Sequence, residues 1–488
     1  MTGVLVLVPV VVPLLGAAVY LLAGWRPATR WVSAGSSALV LAAAIATAIP
    51  GSQRQTGLLR ADALSTFMLI VIGAVALPAT AATPAYLRGE IDAGRATART
   101  AARHSVLVQV FLAAMALAVL AANLGVVWIA VEATTIVTAF LVGQRRTRAA
   151  VEAAWKYVVI CSAGIALALL GTFLLNFAGR HAPGGPGLDL AALTAHASGL
   201  DPAVTRIAVV LLLIGFGTKA GLAPLHAWLP DAHSQAPAPV SALMSGVLLS
   251  VAFYAILRVK VIADAALGAG FSRAVLIVMA LASLVVAASL LLAQRDYKRM
   301  LAYSSIEHLG LVALGAAIGG PLAVAAALLH VLGHGLAKAT LFLSAGRLLQ
   351  TTGTSRIDGV RGLAASQPAL AGCLGAGVLA LIGLPPFSVF ASELGIARAG
   401  FTAGLGWVTA VAVALVVVIA AALIGHTSRM LLGAPPDGPG AATAPRELPI
   451  TVGVVLIGGL LTCAALGIAA WPLTPLLHTA ATTITGTP

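Results

Sequence analysis

Long apolar runs alternate with short polar connections along almost the whole chain. A transmembrane helix needs about 20 mostly apolar residues, and a helix satisfies the backbone polar groups of such a segment within the bilayer. The pattern therefore predicts an all-α, polytopic membrane protein of about fourteen transmembrane helices. We place them at residues 2–24, 31–50, 63–84, 105–121, 123–142, 156–178, 204–222, 240–261, 272–293, 301–319, 321–345, 369–393, 402–431 and 449–471.

Composition agrees with a membrane protein. Hydrophobic residues make up 60% of the 488 positions and charged residues 9%, where a soluble domain has about 25% charged residues. The net charge of +13 does not indicate nucleic acid, because the cations are concentrated in short connections that set topology. Cys161, Cys373 and Cys463 each stand alone in an apolar run, which indicates neither disulfides nor an iron–sulfur site.

The distribution of Lys and Arg predicts the orientation. With the N-terminus outside, the inward connections hold eighteen of these cations and the outward ones hold eight; Lys219 and Lys338 fall inside spans. Positive charge is enriched in cytoplasmic loops, so we expect both termini outside, in a bacterial or archaeal cytoplasmic membrane. The longest outward loop is 180–203, and 433–448 is predicted to be a flexible inward loop.

Prolines interrupt two of the predicted helices beside an ionisable residue. Pro224 follows Lys219 in helix 7, and Pro385 and Pro386 precede Glu393 in helix 12. Proline removes a backbone donor and breaks a helix, and broken helices at corresponding places are typical of inverted-repeat transporters. We therefore predict two inverted five-helix repeats, formed by helices 4–8 (105–261) and helices 9–13 (262–431). Helices 1–3 (1–104) precede them, and a C-terminal loop with helix 14 (432–488) follows.

Ionisable residues occur inside the apolar spans, where each costs about 2.5–3.5 kcal/mol on insertion scales and is a functional candidate. His330, His334 and Lys338 are spaced i, i+4, i+8 and share one helix face, which predicts a proton relay bridged by water. The alternatives are a polar seam between helices and isolated, satisfied hydrogen bonds. Glu307 and His308 diverge by ~100°, so only one should lie on that seam. The candidate proton-pathway residues are Glu132, Lys219, Glu307, His308, His330, His334, Lys338 and Glu393, with His426 as a further intramembrane histidine.

The segment HAWLPDAH has a spacing that resembles a pair of metal ligands, His226 and His233. Pro230 between them should prevent one helix face from presenting both, so we expect a loop that caps broken helix 7. No metal site, cofactor or catalytic centre is expected in this chain.

Five segments resemble one superfamily of membrane proteins. They are NLGVVWIAVEATTI, GFGTKAGLAPLHAWLPDAHSQAPAPVSALMSGVLLSVAFYAILR, QRDYKRMLAYSSIEHLGL, LLHVLGHGLAKATLFLSAG and IGLPPFSVFASE. The chain is similar to the proton-pumping, antiporter-like subunits of respiratory complex I, of multisubunit Na⁺/H⁺ antiporters and of group 4 [NiFe] hydrogenases. EAAWKYVVICSAGIALALLGT and the Glu-His pair of LAYSSIEH resemble the F component of hydrogenase-4 in particular.

The resemblance implies roles for the charged residues. Glu132 and Lys219 would form the charged pair of a first half-channel, His330, His334 and Lys338 a central hydrophilic axis, and Glu393 the end of a second half-channel. The chain departs from complex I subunits at Ser250, where they usually have lysine.

The function implied is a proton-translocating, non-redox subunit of a hydrogenase-4-like or complex I-related oxidoreductase. Its partners would be other membrane-arm subunits, a peripheral arm with iron–sulfur and nickel–iron subunits, and membrane lipid, with no nucleic acid. The alternatives are a subunit of a multisubunit cation/proton antiporter, a structural membrane anchor with a vestigial channel, and a membrane-embedded enzyme. Ser250 is the residue that supports the anchor.

Overall fold

The structure, a computed structural model, describes residues 4–49, 54–433 and 448–486. Apart from a short hairpin of β1 (Arg54–Thr56) and β2 (Leu59–Ala61), its regular elements are helical. Nearly all of the predicted inward loop 433–448 lies outside the described residues. The helices are α1 (Val4–Ala23), α2 (Val32–Thr47), α3 (Ala63–Asp92), α4 (Ala98–Leu120), α5 (Leu124–Val142), α6 (Arg148–His181), α7 (Leu190–Ala195), α8 (Pro202–Lys219), α9 (Trp228–Gln235), α10 (Ala238–Leu243), α11 (Leu249–Leu267), α12 (Ala269–Leu291), α13 (Tyr297–Ile318), α14 (Gly320–Thr352), α15 (Leu363–Ser366), α16 (Pro368–Leu381), α17 (Ser388–Thr402), α18 (Gly406–Leu432), α19 (Ile450–Ile468) and α20 (Thr474–Thr485).

The chain is a multi-pass, all-α membrane protein, as predicted. In the described part of the chain, twelve helical segments are long and apolar enough to cross a bilayer. Two shorter apolar helices, α2 and α16, coincide with predicted spans 2 and 12. Several helices extend beyond their apolar stretch because polar residues cap them. Helix α6, for example, begins at Arg148 because the Thr147 side chain accepts a hydrogen bond from the Ala150 N–H.

Both predicted helix breaks are present. Helix α8 ends at Lys219 and the chain resumes as α9, while α16 ends at Leu381 and resumes as α17. Gly221 (φ +77°) and Gly383 (φ +67°) take the left-handed conformation that ends each first half. The expected loop at HAWLPDAH is wrong, since its larger part forms α9; Pro230 falls in the first turn, where proline is tolerated.

Packing partners recur between the two halves of the chain. Helix α4 packs on α5, α5 on α6, and α6 on α8; likewise α12 packs on α13, α13 on α14, and α14 on α16 and α17. The last span of each half also returns to its first, as α11 contacts α4 and α18 contacts α12. These relations are the ones that two five-helix repeats would produce, and the inverted relation between them remains a prediction.

Contacts between connections agree with the predicted sidedness. Asp231 pairs with Lys156 and Arg299, all predicted inside. On the predicted outer side, Arg258 pairs with Asp62 at 2.6 Å. Backbone bridges also join Asn123 to Asp189 on the outer side, and Asp296 to Arg356 on the inner side. The connections thus form two sets that match the charge analysis, whereas the absolute orientation remains a prediction.

The centre of the bundle is formed by α10–α11, α13 and α14. The most apolar stretch of the continuous segment 238–267 is entirely buried in the protein, and that of α13 is almost entirely buried. Gly246 lies in a π-helical turn, Met244–Leu248, that joins α10 to α11. It crosses α14 at Gly335, where a side chain on either glycine would meet the other's carbonyl oxygen. This close approach packs α14 tightly against the segment that joins α10 to α11.

Candidate functional site

Lys219 is the last residue of α8 and is fully buried. Its ammonium donates to Thr135 Oγ1 at 2.8 Å and to the Tyr157 hydroxyl, and lies 4.7 Å from the centre of the Tyr157 ring. A cation at a helix C-terminus is favoured by the helix dipole. The Trp228 indole caps the same end by donating to the Thr218 carbonyl at 2.9 Å, so the segment after the break caps it, as predicted.

Glu132 lies on α5, one turn from Thr135, and is half-buried. Its Oε2 has no hydrogen-bond partner among the described residues. Glu132 and Lys219 form no ion pair within 4.0 Å; neutral hydroxyl groups hold the ammonium instead. In this structure the predicted charged pair is therefore separated, with Thr135 as the contact that joins α5 to Lys219.

Lys338 is fully buried on α14. Its ammonium donates to the Leu301 carbonyl and to Ser304 Oγ, both at 2.5 Å and both on α13. Ser305, next to Ser304, bonds Ser245 of the π-helical turn at 2.8 Å. The amine is thus bound by neutral oxygen atoms, at the point where the three central elements meet.

Three buried histidines continue the line from Lys338, two on α14 and His308 on α13. The ring centres of His308 and His334 are 4.8 Å apart, and those of His308 and His330 are 5.0 Å apart. His308 Nδ1 and His330 Nε2 are hydrogen-bonded at 2.9 Å. Of the adjacent pair on α13, His308 makes the seam contact, while Glu307 is buried with its Oε2 4.0 Å from His308 Nε2.

Glu393 ends this line on α17. One of its carboxylate oxygens and one ring nitrogen each of His308 and His330 lie within 4.8 Å of one another. The neighbouring Ser392 hydroxyl is hydrogen-bonded to His330 Nδ1 at 2.9 Å. The other side of the carboxylate lies against Gly383 in the helix break, where any side chain would collide with it.

The profile of one protein family, described as NADH:quinone oxidoreductase/Mrp antiporter, transmembrane, matches residues 121–420. This range is more than half of the chain and contains all eight candidate residues. The chain belongs to this family.

Individual relatives agree with the family assignment. The chain is 38% identical to a hydrogenase-4 component F homolog of Methylacidiphilum infernorum (isolate V4) over 74% of this chain and 77% of that protein. It is 39% identical to NADH-quinone oxidoreductase subunit N of Desulforudis audaxviator over 52% of this chain, and there spans half of the relative's length. A chain in the Mrp complex from Dietzia sp. has the same fold, with a TM-score of 0.85 at 24% identity over 99% of this chain and 97% of that one.

His233 is a member of the line that the sequence did not single out as a pathway residue. It is fully buried on α9, and neither ring nitrogen has a hydrogen-bond partner among the described residues. Its ring stacks on Phe342, with centres 4.9 Å apart, and Phe342 follows Lys338 by one turn on the same face of α14. His233 therefore joins the segment after the α8 break to the central axis. The signal available was its place just after the break.

Ser250 stands where complex I subunits usually have lysine. It is buried on α11, and its Oγ has no partner among the described residues. It borders an apolar cavity of about 10 Å³ with Leu328 and Val331, and Val331 lies two turns before Lys338 on the same face of α14. The departure from the family pattern thus leaves a buried hydroxyl group where complex I subunits usually have an amine.

Neutral hydrogen-bonding residues were also missed by the sequence analysis. Four of them each contact an ionisable group of the line, namely Thr135, Tyr157, Ser304 and Ser392. Such residues are common in membrane helices and carry no sequence signal of their own. By contrast, His426 is bonded to the Leu291 backbone carbonyl at 2.9 Å, away from the line, and is a structural interhelical contact.

Proposed function

We propose that this chain is a proton-translocating membrane subunit of a hydrogenase-4-like, complex I-related oxidoreductase complex. One observation carries the proposal: buried ionisable side chains run from Lys219 through His233, Lys338 and the histidines to Glu393. Buried charges without a compensating role are costly in a membrane, and the central members of this series share one face of α14.

Each half of the line contains a buried lysine that is bound by neutral oxygen atoms. Lys219 and Lys338 are each held by hydroxyl or carbonyl oxygens, which accept hydrogen bonds from an ammonium but supply no counter-charge. Imidazoles can both donate and accept, so His334, His308 and His330 can pass a proton along with water between them. Ser392 and Glu393 then connect the histidines to the break between α16 and α17.

Separation of Glu132 from Lys219 provides a coupling element. When the two groups are in contact, the carboxylate stabilises the ammonium; as they move apart, that stabilisation weakens and release of the proton becomes easier. A conformational change in a neighbouring subunit that moves Glu132 would thus move a proton onward. The driving redox chemistry belongs to partner subunits.

The family membership supports a proposal for the partners and the location of the chain. We infer other membrane-arm subunits and a peripheral arm with iron–sulfur and nickel–iron subunits, because the component F homolog is named for hydrogenase-4. Exposed apolar residues cover the outer faces of α1, α6 and α19, which suits contact with lipid. We place the chain in a bacterial or archaeal cytoplasmic membrane with both termini outside.

A cation/proton antiporter subunit is the second candidate, favoured by the shared fold with a chain of the Mrp complex. Affinity purification of the chain from its own membranes tests the choice by the subunits that accompany it. We expect iron–sulfur and nickel-site subunits, and proton uptake by vesicles on addition of an electron donor. Proton release on a Na⁺ pulse, with no redox subunits in the complex, would reject the oxidoreductase and support the antiporter.

A further inference from the structure

A cavity of about 350 Å³ lies away from the polar line, at the end of the bundle that the charge pattern places inside. It is lined by the C-terminal turn of α3, the α5–α6 connection and the last turn of α14, with Glu90, Arg95, Arg145, Thr147 and Gln350 as its polar residues. None of these residues belongs to the proposed proton pathway.

The carboxylate of Glu90 in the cavity already accepts hydrogen bonds from neighbouring side chains. Arg95 binds Glu90 through two hydrogen bonds of 2.9 and 3.1 Å, and Gln350 donates to the same carboxylate at 3.0 Å. Arg145 is 3.8 Å from Glu90, and donates to the Tyr86 hydroxyl at 3.2 Å. The buried Nε of Arg145 has no partner among the described residues. With two arginines and one carboxylate, the cavity therefore has an excess positive charge.

An apolar groove continues from this cavity towards the membrane interior. Gln350 lines both, and the groove runs between α3, α14 and α19 along Ala82, Ala85, Leu343 and Val452, with Arg347 at its side. Leu343 precedes Gln350 by seven residues, a rise of about 10 Å along α14. A cationic cavity at the membrane surface thus joins a groove of hydrocarbon character.

We propose that this cavity and groove bind an anionic phospholipid, with the phosphate against Arg145 and an acyl chain against Val452. Guanidinium groups bind phosphate oxygens through paired N–H donors, and basic pockets between membrane helices are suited to anionic headgroups. A free phosphate ion would satisfy the cavity but would leave the groove unfilled. Bound there, the lipid connects α3 and α19 to α14, the helix that carries the polar line.

The test uses the whole complex purified in detergent, with bound lipids quantified by mass spectrometry. We expect Arg145→Gln and Val452→Trp each to lower co-purified anionic phospholipid at least about fivefold. Arg148→Gln is the matched control, since Arg148 is exposed at the start of α6 outside the cavity, and it should leave the lipid content unchanged. Equal lipid content in Arg145→Gln and Arg148→Gln would overturn the proposal.

A second measurement covers the case in which a variant folds poorly. Phosphatidylglycerol added to delipidated wild-type complex should raise its unfolding temperature more than phosphatidylcholine or inorganic phosphate does. The extra rise should be absent in Arg145→Gln and present in Arg148→Gln. An equal effect of inorganic phosphate would show an anion site without lipid, and a cavity filled by a partner subunit's carboxylate would abolish the difference; either result contradicts the proposal.

Discussion

At the scale of single residues, the amine of Lys338 shows how a buried charge can be both held and mobile. Its ammonium is directed at neutral oxygen atoms of α13, so the structure stabilises the ammonium without fixing it against a carboxylate. A relay needs this property, because a group that is bound to a permanent counter-ion does not easily release its proton.

Replacement of Lys338 tests whether it must release its proton. We expect Lys338→Ala and Lys338→Arg each to lower the proton flux per electron at least about tenfold, since guanidinium keeps its proton at any accessible pH. The double variant His334→Ala/Lys338→Ala should be no worse than the worse single variant, because members of one relay are not additive. Full pumping in Lys338→Arg, measured with a pH-sensitive dye in vesicles, would mean that the amine never releases a proton.

Gly383 offers a second test at this scale. A methyl group there would displace the Glu393 carboxylate, so Gly383→Ala should impair proton flux nearly as much as Glu393→Gln. The φ of +67° adds backbone strain of roughly 1–2 kcal/mol. Gly404→Ala controls for this strain, because Gly404 has φ +76° and open space around it. Similar flux in both alanine variants would show that the position of the carboxylate does not matter.

At the scale of elements, the helices and their breaks could be predicted from sequence, whereas their exact ends and the central contacts could not. Apolar windows locate α8 and α16, and glycine with proline locates the breaks. The ends were missed where a polar cap extends a helix beyond its apolar part, as Thr147 does for α6. The short helix α20 was missed altogether, because only Leu477, Ala480, Ala481 and Ile484 form its buried side.

The charged residues of the candidate site could be named from the sequence, whereas their uncharged partners could not. Charged residues in apolar runs are conspicuous, so all eight candidates could be named from the sequence alone. Their partners are uncharged, and which helices meet depends on tertiary packing. His233 was weighed only as a metal ligand with His226, because Pro230 was expected to prevent one helix face from presenting both; a loop was expected there, yet proline in a first turn is compatible with a helix.

The role of α9 as a bridge can be tested with two histidines of one motif. His233→Gln should lower the proton flux per electron as severely as Lys338→Ala, because it removes the titratable group next to Phe342. His226→Gln is the matched control, since His226 lies before α9 and is only half-buried; it should retain most of the flux. Equal flux in the two variants would remove α9 from the pathway.

At the scale of the whole molecule, two sets of connections face opposite ends of the bundle, and charge asymmetry assigns one of them to the inside. The native cysteines are all buried, so introduced cysteines can report orientation. We expect an impermeant thiol reagent to label His181→Cys, but not Thr352→Cys, in intact cells; both positions are exposed. Labelling of Thr352→Cys from outside would invert the topology.

The most direct test of the account is the number of protons moved per electron when Lys219 is replaced. We compare Lys219→Ala with Lys260→Ala in vesicles containing the whole complex. Lys260 is also a buried lysine, but it is paired locally with Asp264 on α11. The account predicts that Lys219→Ala keeps most of the electron transfer and loses at least about nine-tenths of the proton flux, while Lys260→Ala keeps both. Wild-type proton flux per electron in Lys219→Ala would contradict a proton path through this line of residues.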